Sequence, residues 1–276
     1  MKIFKKVAIV GVGLIGGSLA LAIKQKKIAD EIIGVSRHKK TIELAKNNRI
    51  IDCGSQDMRS IATADLLILA VPVRAILDLA KPISKIVSKD CIVTDVGSTK
   101  QEIVAKLDKL FRNYLGAHPL AGSEKRGALY ATPNLFKNSL CILTPTPKTK
   151  ALAFRKIKGL WNQVGAKTVS LKPADHDRIL AFVSHLPHAV AFSLINSVPG
   201  NYLRFSASGL RDTTRIAASD AGIWENIFLS NRNNMVTAIE SLEEQLKRLK
   251  SAIKKSDQQQ INKILRLANQ KRESLG

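Results

Sequence analysis

The chain has 276 residues, enough for two domains of ordinary size, each with a core of its own. Its hydrophobic share of 45% and charged share of 24% suit a folded globular protein and exclude long disordered tracts. The 44 basic and 22 acidic residues give a formal charge of +22, a field that concentrates anions; the cations are dispersed, with no basic arm, zinc finger or aromatic RNA-binding strand, so a dedicated nucleic-acid partner is not expected.

In chain order, Lys2, Lys5 and Lys6 precede an apolar strand at 6–10, but glycines break the stretch that follows, which does not read as an export signal. Those glycines carry the first motif. Gly11-Val12-Gly13-Leu14-Ile15-Gly16 comes directly after the strand and opens a helix at 14–22. Gly11 permits the tight turn, Gly13 lets the backbone approach a pyrophosphate, and Gly16 lets the helix pack close, while the first-turn amides at Leu14 and Ile15 face the phosphates. A second strand at 31–35 ends in Ser36-Arg37-His38-Lys39-Lys40, without the acid that would bind both ribose hydroxyls of NAD. A hydroxyl and cations at Ser36, Arg37 and Lys39 suit the 2'-phosphate of NADP, so NADP is expected rather than NAD. The alternative is that Arg37 and Lys39 are the solvated start of the next helix.

A third strand at 66–70 ends at Val71-Pro72, where a tight turn would let the cofactor cross the sheet edge. The apolar run 66–71 is far shorter than the ~20 residues that cross a bilayer, and no membrane span is expected. Further strands fall at 91–95, 114–117 and 140–144. The fourth and fifth strands of this reading end in Thr94-Asp95-Val96-Gly97-Ser98-Thr99-Lys100 and in Gly116-Ala117-His118-Pro119-Leu120-Ala121-Gly122. Ser98 also reads as the N-cap of a helix at 99–110. After Pro145 and Pro147 come a helix at 150–164 and a strand at 167–171. Beyond Pro173 the pattern is helical throughout, with long helices at 175–197 and 224–254. The expectation is an α/β chain: a doubly wound, mostly parallel Rossmann-type sheet in residues 1–172, then an all-helical domain in 173–276. Leu242, Leu246, Leu249 and Ile253 form one apolar stripe, which suits either the chain's own core or a dimer seam. Trp161 and Trp224 read as core. Cys53, Cys91 and Cys141 are few, widely spaced and without metal-ligand spacing, so no metal is expected and the thiols suit a reducing cytoplasm.

Taken together, VGVGLIGGSLA, TDVGSTK, GAHPLAGSEKRG, ADHDR with SHLPHA, and GLRDTTRIA resemble, in order, the prephenate/arogenate dehydrogenase family over residues 7 to about 230. The resemblance implies a compact, single-activity enzyme of tyrosine biosynthesis that oxidatively decarboxylates prephenate or arogenate as a cytoplasmic homodimer. His118 is then the catalytic base, with Ser98 orienting it. Arg215 binds a substrate carboxylate, and His185 and His188 line the pocket. Ser184, Asp212, Ser123 and Glu124 are implied as gating or substrate contacts, and an acid among Asp177, Glu124 and Asp212 as a partner for the ammonium of arogenate. A dehydrogenase of the β-hydroxyacid or imine reductase type, or a non-catalytic NADP sensor, is the alternative. The first of these calls for a lysine or other proton donor on the long helix, where this chain has paired histidines.

Overall fold

Long runs of Val, Ile and Leu bounded by turns are what a strand buried on both faces requires, and they set the sheet. The computed structural model describes residues 2–122, 125 and 127–275; Ser123 and Glu124 lie outside the described residues. The strands are β1 (Lys6–Val10), β2 (Glu31–Val35), β3 (Cys53–Ser55), β4 (Leu66–Leu69), β5 (Ile92–Asp95), β6 (Tyr114–Pro119), β7 (Leu140–Thr144) and β8 (Lys167–Ser170). They form one sheet in the order β3-β2-β1-β4-β5-β6-β7-β8. Every pairing is parallel except β6 with β7. The order reverses between β1 and β4, which opens a crevice at their C-terminal ends.

Helices cover both faces. On one side α1 (Leu14–Gln25) and α5 (Ala151–Gln163) pack through Leu19, Ile23, Ile157 and Trp161. Trp161 is fully buried, edge-on to Phe136 at 5.3 Å. On the other side α3 (Val73–Ser84) and α4 (Gln101–Leu110) pack through Ile76, Ile83, Ile103 and Leu107. The remaining helix of this part, α2 (Lys39–Asn47), follows β2.

Two strands differ from the sequence reading. The three-residue β3 was not anticipated, because a Cys-Gly-Ser segment carries no apolar alternation and is placed only by its neighbour β2. β6 runs two residues further than expected, because antiparallel β7 pairs His118 with Ile142 and Pro119 with Cys141. His118 is therefore held within the sheet.

After β8 the chain is helical: α6 (Pro173–Leu180), a π-helical turn (Ala181–His185), α7 (Leu186–Ser197), α8 (Ser208–Thr214), α9 (Ala221–Ser230), α10 (Arg232–Lys254) and α11 (Gln258–Glu273). From α6 to α7 the path is one continuous helix. Pro187 has no N–H to give the preceding turn, and the widened π turn takes up the mismatch. Over Pro173–Ser197 this helix is long and apolar enough to cross a membrane by length and composition alone, a test that the core helix of a soluble protein also passes. Its apolar residues are interleaved with short polar ones, so no contiguous run revealed it. His176, Asp177 and His185 on the same helix are buried, and they anchor it to the rest of the protein.

The helix expected at 224–254 is instead two helices. Asn231 leaves helical geometry at φ −123° and ψ 27°, and its buried side-chain amide donates to the Asp177 carbonyl at 2.7 Å.

The two layers meet at the start of α4. Lys100, at the N-cap position, gives no side-chain cap, and the Ser98 cap suggested by the sequence is absent. The Asp177 carboxylate takes that role from α6, accepting the backbone N–H of Lys100 at 2.7 Å and of Gln101 at 2.8 Å. Beside it, the Thr99 and Ser230 hydroxyls lie 2.9 Å apart. Asp177→Asn places an amide donor against these N–H donors, so it is expected to lower unfolding free energy by ~1–3 kcal/mol, read from urea denaturation midpoints.

Candidate active site

The crevice at the β1/β4 reversal has the shape that a dinucleotide needs. Gly11 sits at φ +98°, and a Cβ there would lie 2.3 Å from the Ala70 carbonyl oxygen. At Gly16 a Cβ would meet the Gly11 carbonyl oxygen at 2.0 Å, so the turn closes only with glycine at both positions. Beside Gly13, by contrast, the space is open. The first turn of α1 carries no acidic residue and no side-chain cap, leaving its N–H groups, those of Leu14 and Ile15 included, for an anion. Val71 and Pro72 border the same crevice ahead of α3, and the side chain of Val71 closes on Gly11.

At the end of β2, Arg37, His38, Lys39 and Lys40 are exposed. The Ser36 hydroxyl accepts the His38 N–H at 3.2 Å, and the Arg37 Nε–H donates to His38 Nε2 at 3.1 Å. Lys39 is paired with Glu43 at 3.6 Å, a solvated contact of the kind the bland reading of this cluster anticipated. Arg37 and Ser36 retain a place at the strand end where an adenosine ribose would sit.

A chain of three side chains runs from the helical layer to the edge of the sheet. The carboxylate of Asp177 can only accept, so the 2.7 Å contact assigns the proton to His176 Nδ1. In a neutral ring His176 Nε2 is then the acceptor, and the 2.8 Å contact makes His118 Nδ1 the donor. His118 Nε2 is left as the basic nitrogen. Burial first, then His176, Lys100 and His185, hold the His118 imidazole well below its usual range; burial also lowers His176, against the pull of Asp177. Both rings are neutral at pH 7. The half-buried Ser98 lies on the turn after β5, just ahead of Thr99 and the capped start of α4.

On the helical side, Asn231 also approaches His185 Nδ1 at 3.2 Å, as a donor to a ring nitrogen whose partner Nε2 is buried without a hydrogen bond. Burial pushes His185 down to about 4. His188 donates from Nδ1 to the Ser184 carbonyl at 3.0 Å and stacks on Trp224 at 3.5 Å. Its imidazole is lowered by burial and by the charge of Arg215. His185 meets the same indole edge-on at 6.1 Å. Trp224 is thus half-buried and shared between the two histidines, not the core residue expected, whereas Trp161 is core. Arg215 and Asp212 are exposed at the end of α8.

Asp177 is removed from the acids that were to meet an ammonium group, since both its oxygens are engaged by Lys100, Gln101 and His176. Sequence reasoning also missed His176, Lys100 and Asn231. The only signal was a histidine and an aspartate side by side in ADHDR, which spacing alone reads as surface charge.

Sheet order, glycine turn and a neutral histidine at the C-terminal end of β6 point to a nicotinamide-dependent oxidoreductase with a helical second layer. Residues 19–170 match the family model for the prephenate dehydrogenase nucleotide-binding domain, and residues 172–267 match that for the prephenate dehydrogenase dimerization domain. The chain belongs to the prephenate dehydrogenase family. It is 34% identical to the cyclohexadienyl dehydrogenase of Zymomonas mobilis over 93% of this chain and 91% of that protein. The crystal structure of prephenate dehydrogenase from Aquifex aeolicus, in complex with hydroxyphenyl propionate and NAD+, superposes with a TM-score of 0.94 at 35% identity, covering 99% and 98% of the two chains. Synechocystis arogenate dehydrogenase superposes with a TM-score of 0.84 at 29% identity, covering 98% and 100%.

Neutral buried histidines make the fold acid-sensitive. The unfolded chain protonates His185 near 6.5 but the folded one only near 4, so its contribution is complete above 6.5 and is lost as pH falls toward 4. The two values correspond to on the order of 3 kcal/mol. Urea midpoints measured from pH 7 to 4 are expected to fall across this window, and His185→Gln to flatten the slope.

Proposed function

We propose that this chain oxidatively decarboxylates prephenate, arogenate or both, with NADP as its preferred cofactor, in tyrosine biosynthesis. The observation that carries the reading is the Asp177–His176–His118 chain, which delivers a neutral imidazole to the sheet edge of a prephenate dehydrogenase fold. The chain divides into a cofactor unit at 1–172 and a substrate and dimerisation unit at 173–276, and works as a cytoplasmic homodimer.

Gly11, Gly13, Leu14, Ile15 and Gly16 would hold the pyrophosphate, Val71 and Pro72 would flank the cofactor, and Ser36 and Arg37, with Lys39 at the rim, would receive the 2'-phosphate. The bound nicotinamide supplies the hydride acceptor. His118 Nε2 takes the proton of the ring hydroxyl at C4 as hydride departs from that carbon, and Ser98 orients the two groups. Loss of the C1 carboxylate as carbon dioxide then returns its electron pair to the ring as a phenolate, which takes the proton back from His118 to give a phenol. Arg215 binds a substrate carboxylate through its planar fork. His188, held neutral with its Nδ1 already donated to Ser184, offers Nε2 as an acceptor. His185, Ser184 and Asp212 complete the wall on the helical side, with Ser123 and Glu124 retained from the sequence pattern.

The dimer reading has physical support. Among the described residues, Ala181, Met235 and Ala238 form the buried apolar cluster of the helical layer, with Leu186, Ala189 and Phe228 against it, while Val183, Leu229, Val236, Leu246 and Ile253 are exposed. Leu246 and Ile253 belong to the stripe foreseen in the sequence. A second copy would cover this surface.

His118→Asn is expected to lower turnover ~10²–10⁴-fold with little change in the Michaelis constant, in an assay of reduced cofactor formed from prephenate and from arogenate separately. Near-parental turnover would overturn the base assignment. In the same assay kcat/KM is expected to be higher with NADP than with NAD, and Arg37→Ala to cut the NADP value ~10-fold or more, as the loss of charged hydrogen bonds worth ~1.5–3 kcal/mol requires. A parental preference for NAD would overturn the cofactor choice.

A further inference from the structure

Lys100 is a fully buried lysine that the chemistry above does not use. Its ammonium donates to the carboxylate of Asp95, also fully buried, and to the Ala117 carbonyl oxygen at 3.0 Å. Asp95 accepts the Tyr114 hydroxyl at 2.7 Å and the Gly97 N–H at 2.8 Å. Taking such a pair out of water is costly, and well-packed apolar residues often serve stability equally well. What the pair grips is specific. Ala117 is the residue before His118, and Gly97 is the residue before Ser98.

We propose that Lys100 and Asp95 act as a positioning pair for the reaction: the ammonium holds the backbone beneath His118, and the carboxylate holds the turn before Ser98 and balances that cation. The inference rests on the reading of His118 as the base.

Burial and His176 lower the His118 imidazole most, and Lys100 is the next cause. From α6, His176 is neutral and hydrogen-bonded to His118, and Asp177 spends its charge on two backbone amides and His176. From the π turn, His185 is neutral. From β7, burial pushes the Cys141 thiol far up, so it stays protonated. On its own strand, burial and Asp95 hold the Tyr114 hydroxyl protonated. Lys100 is the cation that acts on the imidazole, and Asp95 is the anion that faces Lys100.

The sign follows. The base works when unprotonated, so the acidic limb of kcat/KM against pH tracks the loss of the imidazole proton. Asp95→Asn keeps an oxygen acceptor but leaves the ammonium uncompensated, and the limb is expected to move to lower pH. Lys100→Met removes the cation and leaves the carboxylate, and the limb is expected to move to higher pH. Nearby charges of this kind shift a group by about one pH unit or more. The double variant is expected to return the limb close to its parental position.

A merely structural role would lower activity in both single variants without moving the limb in opposite directions; an unmoved limb, or shifts of the same sign, overturns the proposal. If Lys100→Met does not fold, Asp95→Asn, close in shape to the parent, decides by its direction alone. The two failures are separable. An active His118→Asn removes the base reading itself, whereas an inactive His118→Asn with an unmoved Asp95→Asn limb removes only the role of the pair.

Discussion

A carboxylate enclosed between a sheet and a helix must have its charge met by hydrogen bonds on every side, and Asp177 is in that position. Two of its bonds come from the start of α4, so the turn after β5 is fixed by a residue on α6. The third comes from His176, so the same charge decides which nitrogen of that ring carries the proton and, one ring further, which nitrogen of His118 is free to act as a base. The backbone carbonyl of Asp177 in turn holds Asn231 out of helical geometry and separates α9 from α10. Helix capping, imidazole tautomers and the path of the helical layer are consequences of one buried anion.

The electrostatics differ between the buried junction of the layers and its exposed rim. At the junction of the layers Lys100 is matched by Asp95, and the histidines are uncharged by burial. At the rim, the charge of Arg215 acts on the His188 imidazole. The excess of cations over the whole chain adds a long-range attraction for anionic substrate and cofactor without assigning either to a site.

The helical layer accepts local irregularity. Pro187 and the π turn before it widen the continuous helix at Ser184 and His185, and the Ser184 carbonyl is taken up by the His188 ring. Among the described residues, the buried apolar cluster of this layer is small.

The sequence by itself determined the sheet, the glycine turn and the helical character of the second half, because these depend on local patterns: buried strands read as apolar runs, and Gly11 and Gly16 occupy positions where a Cβ would strike a backbone oxygen. It also supplied His118, Ser98 and Arg215 as members of ordered motifs. The tertiary structure alone decided that His118 lies inside a strand, that Asp177 caps a helix 77 residues away in the chain, that Asn231 breaks a helix, and that Trp224 belongs with His185 and His188. The reason is physical. A hydrogen bond between buried groups depends on which surfaces are brought together, and residues such as Asp177, Lys100 and Asn231 carry no mark in the sequence to distinguish a solvated side chain from one that the fold encloses.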